Sequence, residues 1–156
     1  MNKITKEDVL KSQNIWCEAL VELGHHKNDR ARCESLANDL LNNYYAFDKG
    51  EVLFKPTRAR IVPFRKTKEG ARSYFIGGDD NFSEDIGFAL EPWSSIRFKN
   101  AHIITEDNRA VAMGYYYFKD INGIEMKAEY TIGYMKYDNG EIKIKIHHSS
   151  IPYQTS

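Results

Sequence analysis

Apolar positions recur every three or four residues in the first part of the chain and every second residue in the last part. The pattern therefore predicts helices first and strands afterwards. Val9, Gln13, Trp16, Leu20 and Leu23 form one helical stripe, which Gly24 can end in left-handed geometry. Thr5 and Asp8 have the spacing of a capping box at its start, with Asp standing where Glu or Gln is usual. Asn28 or Asp29 can cap a second helix with the stripe Cys33, Leu36, Ala37, Leu40, Leu41, Tyr44 and Phe47. Residues 51–55 read as a short strand closed by Pro56. A third, short helix runs from Thr67 to about Phe75 and is stopped by Gly77-Gly78.

Residues 95–105, 109–118, 124–137 and 141–150 are strand-like, rich in Ile, Val, Tyr and Phe. The turns between them are EDN, DING and YDNG, and the Asn-Gly pairs at 122–123 and 139–140 suit hairpins because both central positions tolerate positive φ. Helices followed by an antiparallel meander indicate an α+β chain with helices on one face of a curved sheet. A length of 156 residues fits a single domain over 1–156, with a core over about 8–153.

The last strand raises a chemical question. In EIKIKIHHSSIPY, Ile142, Ile144 and Ile146 alternate with Glu141, Lys143 and Lys145, the pattern of a half-buried strand. If the alternation continues unbroken, His148 and Ser150 fall on the isoleucine face and His147 and Ser149 on the other. A twist or bulge at the strand end would instead leave the quartet solvated. Because Ile151-Pro152-Tyr153 resumes apolar character at once, the polar residues are expected to be enclosed, and enclosed polar groups need partners.

Charge and cysteine content narrow the partners. Lys+Arg and Asp+Glu both number 22, so nothing electrostatic favours nucleic acid or an anionic membrane. No apolar run is long enough to span a bilayer, and MNKITKEDVLK lacks the apolar core of a secretory leader, which points to the cytoplasm. Cys17 and Cys33 are expected as reduced buried thiols, and no Cys-x-x-Cys or Cys-x-x-His spacing suggests zinc. Adjacent residues on a strand point to opposite faces, so His147 and His148 are poorly placed to chelate one ion, even with Glu129 as a candidate partner. His25-His26 sits at a helix end, where its charge favours the dipole.

Other polar residues have ordinary roles open to them. Thr57 of FKPT can cap the turn after Pro56, and Tyr74 can be a core tyrosine with a satisfied hydroxyl. Tyr115-Tyr116-Tyr117 reads as sheet packing, and Trp93 of EPWS can wall a pocket. Gly77-Gly78 has neither the spacing nor the lysine of a phosphate loop.

Taken together, VLFKPT (52–57), ARSYFIGG (71–78), GFALEPWSSIRFKNA (87–101), AVAMGYYYF (110–118) and IKIHHSSIPY (144–153) resemble the iota class of carbonic anhydrases over nearly all of residues 8–153. The resemblance implies a cone-shaped α+β fold like nuclear transport factor 2, with N-terminal helices packed on a strongly curved antiparallel sheet. It also implies kinship with the association domain of calcium/calmodulin-dependent protein kinase. The activity implied is reversible hydration of carbon dioxide to bicarbonate without a metal, although manganese has been described for some members and zinc serves other classes. A threonine, a tyrosine and a serine hydroxyl then line the pocket. By motif these are Thr57, Tyr74 and a serine of HHSS, for which strand parity selects Ser150, with Ser149 beside it as a substrate-binding group. His148 is the expected proton acceptor, and Phe54, Phe75 and Trp93 are the expected apolar walls. Arg58 and Arg60 follow Thr57 and could bring bound anions closer.

The kinship with the association domain further implies a homodimer, or a larger homo-oligomer, formed through the sheet. Two rival readings remain: an association module without catalysis, which would expose an apolar outer sheet face, and an isomerase or lyase, which would need a pair of pocket carboxylates.

Overall fold

A computed structural model describes residues 2–155. In chain order the elements are α1 (Lys6–His25), α2 (Arg30–Tyr44), β1 (Leu53–Lys55), α3 (Lys68–Ile76), β2 (Trp93–Glu106), β3 (Arg109–Asp120), β4 (Glu125–Lys136) and β5 (Ile142–Ser150). Short 3₁₀ turns occupy Ala46–Lys49, Asp80–Phe82 and Phe88–Leu90. The capping box at α1 is closed: Thr5 Oγ1 accepts the Asp8 N–H at 3.1 Å and an Asp8 carboxylate oxygen accepts the Thr5 N–H at 2.9 Å. Asp29 caps α2. That helix stops at Tyr44 instead of reaching Phe47, because Tyr45 turns extended and forms a parallel bridge with Ile144.

The helices lie against one face of a five-stranded sheet of order β1-β5-β4-β3-β2. Their stripes join the inward residues of the sheet in one apolar cluster that runs from Val9, Trp16 and Leu20 to Tyr116, Phe118, Ile132 and Ile144. The strongly curved antiparallel sheet expected from the sequence is not what forms. The sheet is open, with β1 and β2 as unjoined edges, and is neither closed nor strongly curved. It is also mixed. The chain leaving β1 crosses α3 and the whole β2–β4 meander before β5 returns beside it, so β1 and β5 run parallel.

One irregularity in β5 controls what faces the core. Tyr134 pairs with Ile144, yet Gly133 pairs with Ile146, so Lys145 is an extra residue on β5. Ile144 is buried at 3% exposure, whereas Ile146 is 39% exposed on the outer face. Ile146 lies over Gly133, where an added Cβ would stand 3.3 Å from that of Ile146. Just before the bulge, the buried Lys143 ammonium donates to the Asn42 carbonyl at 2.8 Å and to the Asp48 carboxylate at 2.9 Å, tying β5 to the turn after α2. Every residue after Lys145 has changed face.

The loop between β1 and α3 is held by two acidic residues. Glu84 accepts the backbone N–H groups of Arg60, Ile61 and Val62. Arg65 is buried, donates to the Val62 and Gly70 carbonyls, and pairs with Asp85, which also accepts from Ser73. Charges taken out of water in this way need such full pairing.

Candidate active site

Past the bulge, His147 and Ser149 point into the core at 2% and 1% exposure. Ser149 Oγ lies 2.5 Å from Thr57 Oγ1, and the Tyr116 hydroxyl donates to it, also at 2.5 Å. His147 Nε2 lies 3.1 Å from the Tyr116 hydroxyl, and its Nδ1 lies 2.8 Å from the Tyr45 hydroxyl. The indole N–H of Trp16 donates to Tyr45 at 3.0 Å. Hydrogen bonds therefore run without a gap from α1 through the core to Thr57, on the loop after β1. Lys55 adds a bond at 2.8 Å to the Ser149 carbonyl, which anchors this part of β5 to the edge strand.

Tyr74, near the end of α3, is buried, and its hydroxyl accepts the Arg58 N–H at 3.1 Å. Thr57 and Tyr74 thus meet through consecutive residues of one loop: the side chain of the first joins Ser149, and the backbone of the second joins Tyr74. Aromatic rings enclose the group. Phe54 stacks on His147 at 5.1 Å and meets Tyr74 edge-on at 6.1 Å. Phe88 stacks on Tyr74 at 5.4 Å. Phe75 stacks on Phe54 at 5.8 Å, and Trp93 lies 5.3 Å from Phe88 with its N–H given to the Phe88 carbonyl. Phe75 also meets Tyr74 edge-on at 5.6 Å, Trp93 backs Phe88, and Phe88 is a wall that the sequence did not single out.

Arg58 extends from the same loop across this aromatic surface. Its guanidinium lies 5.4 Å from the Phe88 ring centre and 5.7 Å from that of Trp93, with Glu91 at 3.5 Å. Arg60 is exposed, and its backbone is bound by Glu84.

Burial dominates the electrostatics. It pushes His147 down to about 3, helped by the neighbouring His148, so the ring is neutral across the physiological range. It pushes Tyr116 and Tyr74 above the usual phenol range, against the bond to Ser149 at Tyr116 and the Arg58 N–H at Tyr74. The hydroxyls are therefore protonated donors. They can stabilise an oxygen that becomes anionic, but none can store a proton near neutral pH.

His148 and Ser150 do not join this group. His148 is exposed and Ser150 half-buried on the outer face, where they line a shallow depression with Glu129, Thr131, Tyr115 and Met113. The assignment of the inward pair to His148 and Ser150 is corrected, because the extra residue at Lys145 reverses the alternation on which it rested. The proton-acceptor role assigned to His148 loses its geometric basis for the same reason. Tyr45, Tyr116 and Trp16 were not recognised as polar participants. Their signal in the sequence is faint, since each also fits an apolar stripe or strand face. Gly133, set among Thr131, Ile132 and Tyr134, was a usable mark of the bulge.

These residues do not suit a metal ion. Both nitrogens of His147 are occupied by tyrosine hydroxyls. Among the described residues no three or more His, Cys, Asp or Glu side chains gather as a metal-holding group.

Comparison with known proteins agrees with this chemistry. The family model described as metal-independent carbonic anhydrase matches residues 7–151. A metal-independent carbonic anhydrase of Nostoc sp. is 40% identical over 155 residues, covering 97% of this chain and 75% of that protein. The crystal structure of a cyanobacterial iota-carbonic anhydrase complexed with bicarbonate superposes with a TM-score of 0.95 at 38% identity, covering 98% of this chain and 95% of that one. A nuclear transport factor 2-like protein of Salmonella enterica, at TM-score 0.55 and 15% identity over 97% of this chain and 93% of that one, shares the fold alone. With its hydroxyl-lined core and a family match over almost its full length, the chain belongs to the metal-independent, iota-class carbonic anhydrases.

Proposed function

We propose that Thr57, Tyr74 and Ser149 form the reaction site at which this carbonic anhydrase hydrates carbon dioxide to bicarbonate, with Phe54 and Phe88 as its apolar walls. The observation that carries the assignment is the placing of Ser149 Oγ 2.5 Å from both Thr57 Oγ1 and the Tyr116 hydroxyl in a buried setting. Carbon dioxide is nonpolar and suits the aromatic walls. When a water oxygen bonds to its carbon, the electron pair of one C=O bond moves onto oxygen, which the Thr57 and Tyr74 hydroxyls receive. The proton released by the attacking water passes to solvent water, because the neutral His147 is too weak a base to hold it. Catalysis here rests on position and on donors for developing charge, and it should survive treatment with chelator.

The same reading takes the chain as one domain with a core over about 8–153. It also takes it as a homodimer joined through the outer sheet face. Supporting this, Ile104, Val111, Met113 and Ile146 are exposed together on that face, with Leu53 at its β1 edge. Among the described residues no helix is long and apolar enough to cross a membrane. The unpaired Cys17 and Cys33 suit a reducing compartment, and we take the cytoplasm as the location.

Stopped-flow carbon dioxide hydration on wild type, Ser149→Ala and Ser150→Ala tests the site. We expect Ser149→Ala to lose roughly tenfold to a hundredfold in kcat/KM, the worth of a charge-stabilising hydrogen bond. Ser150→Ala should stay close to wild type. The opposite ranking would overturn the assignment.

A further inference from the structure

We propose that Trp16 and Tyr45 are positioning residues for the hydration reaction, because the Trp16 indole sets the direction of the hydrogen-bonded chain that ends at Thr57. The inference rests on the site reading above and adds to it a role for residues far from the reacting atoms.

An indole N–H can only donate. The Tyr45 oxygen receives it at 3.0 Å, so the Tyr45 hydrogen is turned to its other partner, His147 Nδ1, at 2.8 Å. Nδ1 must then carry the lone pair, and the neutral ring carries its hydrogen on Nε2. From Nε2 the hydrogen points to the Tyr116 oxygen at 3.1 Å, and Tyr116 in turn donates to Ser149 at 2.5 Å. Tyr116 spends its hydrogen on Ser149, so among the described residues Thr57 Oγ1, at 2.5 Å, is the acceptor left for the buried Ser149 hydrogen. Thr57 is left with a hydrogen to offer the substrate.

The opposite direction leaves a group unpaired. A hydrogen on Nδ1 would point at the Tyr45 oxygen, which the indole already occupies. The Tyr45 hydrogen would then have no partner in a fully buried place, and such orphaned groups are costly. Each bond in the preferred direction also polarises the next, which strengthens the donor at the far end. Tyr74 stands at the end of this chain: its oxygen accepts the Arg58 N–H, and its hydroxyl lies within hydrogen-bond reach of Thr57. The neighbouring Thr57 and Tyr74 hydroxyls thereby present a donor where bicarbonate oxygen develops its charge.

Nitrogen NMR of histidine-labelled protein reads the direction without any substitution. We expect His147 as a single neutral ring with its hydrogen on Nε2, and a ring carrying its hydrogen on Nδ1 would overturn the proposal. Trp16→Phe keeps an aromatic ring against Tyr116 but removes the donor, and Tyr45→Phe breaks the chain one step later. In either variant we expect a mixture of His147 tautomers, and a fall in kcat of roughly threefold to tenfold at unchanged KM, as a weakened donor implies. Thermal melting establishes that each variant is folded. If Trp16→Phe does not fold, the wild-type tautomer and Tyr45→Phe decide. Activity retained in Ser149→Ala would remove the underlying site reading. Activity lost there, with tautomer and kcat unmoved in a folded Trp16→Phe or Tyr45→Phe, would remove this inference alone.

Discussion

Arg65 and Asp85 meet in a two-pronged ion pair, Nη1 to Oδ2 and Nη2 to Oδ1, both at 2.7 Å, with both side chains fully buried. The pair closes the loop that carries Thr57 and Arg58 against α3, where Ser73 also donates to Asp85 at 2.6 Å. Asp85→Ala would strand the guanidinium in the core. Losing one partner of a buried pair costs about 3–5 kcal/mol, or roughly 6–20 °C in melting temperature for a chain of this size. Denaturant titration and thermal melting check this. The variant should also lose activity, because Thr57 sits on the loosened loop.

Tyr74→Phe removes a hydroxyl that the Arg58 N–H leaves free to donate, while the ring keeps its stack on Phe88. Hydration kcat/KM should fall by roughly tenfold or more, the worth of one donor to developing charge, with the fold intact. Stopped-flow assay beside circular dichroism makes the comparison. An unchanged rate would exclude Tyr74 from the reaction.

Acid stability should report His147. Its folded value is pushed down to about 3, below the ordinary 6.5, so the unfolded chain binds a proton there that the folded chain does not. Its contribution is therefore complete above about pH 6.5 and declines as pH falls towards about 3, by roughly 1.4 kcal/mol per pH unit at its steepest. Asp48 and Glu84 are held below the usual carboxylate range by Lys143 and by the loop N–H groups, and their loss comes at lower pH. Urea denaturation at pH 6.5 and pH 5 should already show the His147 slope. A flat response would place a charged or exposed imidazole there.

The outer sheet face offers a separate test. Val111 and Ile146 are exposed at 42% and 39%. Val111→Lys with Ile146→Lys puts like charges into the face proposed to pair with a second copy, and light scattering should show monomers where wild type shows dimers. Wild-type monomers at all concentrations would remove the dimer.

Much of this arrangement was legible along the chain. The stripe from Val9 to Leu23 and the Thr5–Asp8 cap gave α1, the Asn-Gly pairs gave the hairpins after β3 and β4, and FKPT and SYF singled out Thr57 and Tyr74. What escaped has physical causes. A bulge adds one residue without changing composition, so alternation read through Lys145 carried Ser150 inward in place of Ser149. Tyr45 and Tyr116 look like packing because their rings are packing, and only their hydroxyls, paired with residues 102 and 33 positions away in the chain, are chemical. The parallel set of β1 on β5 joins distant segments, which periodicity within one strand does not report.

The extra residue in β5 has a consequence for how the His-His-Ser-Ser quartet encodes its site. The quartet is degenerate in frame: read from either starting point, alternate positions give an imidazole followed by a hydroxyl. Straightening the strand, with Lys145 kept and paired in the ladder, would therefore still offer the core a histidine and a serine, His148 and Ser150, each two positions or about 6.6 Å further along the strand. That displacement exceeds a hydrogen bond's length, so Tyr45, Tyr116 and Thr57 would be left reaching for partners two residues away. The spelling of the strand specifies which side chains can enter the core, and a single backbone insertion specifies where they stand.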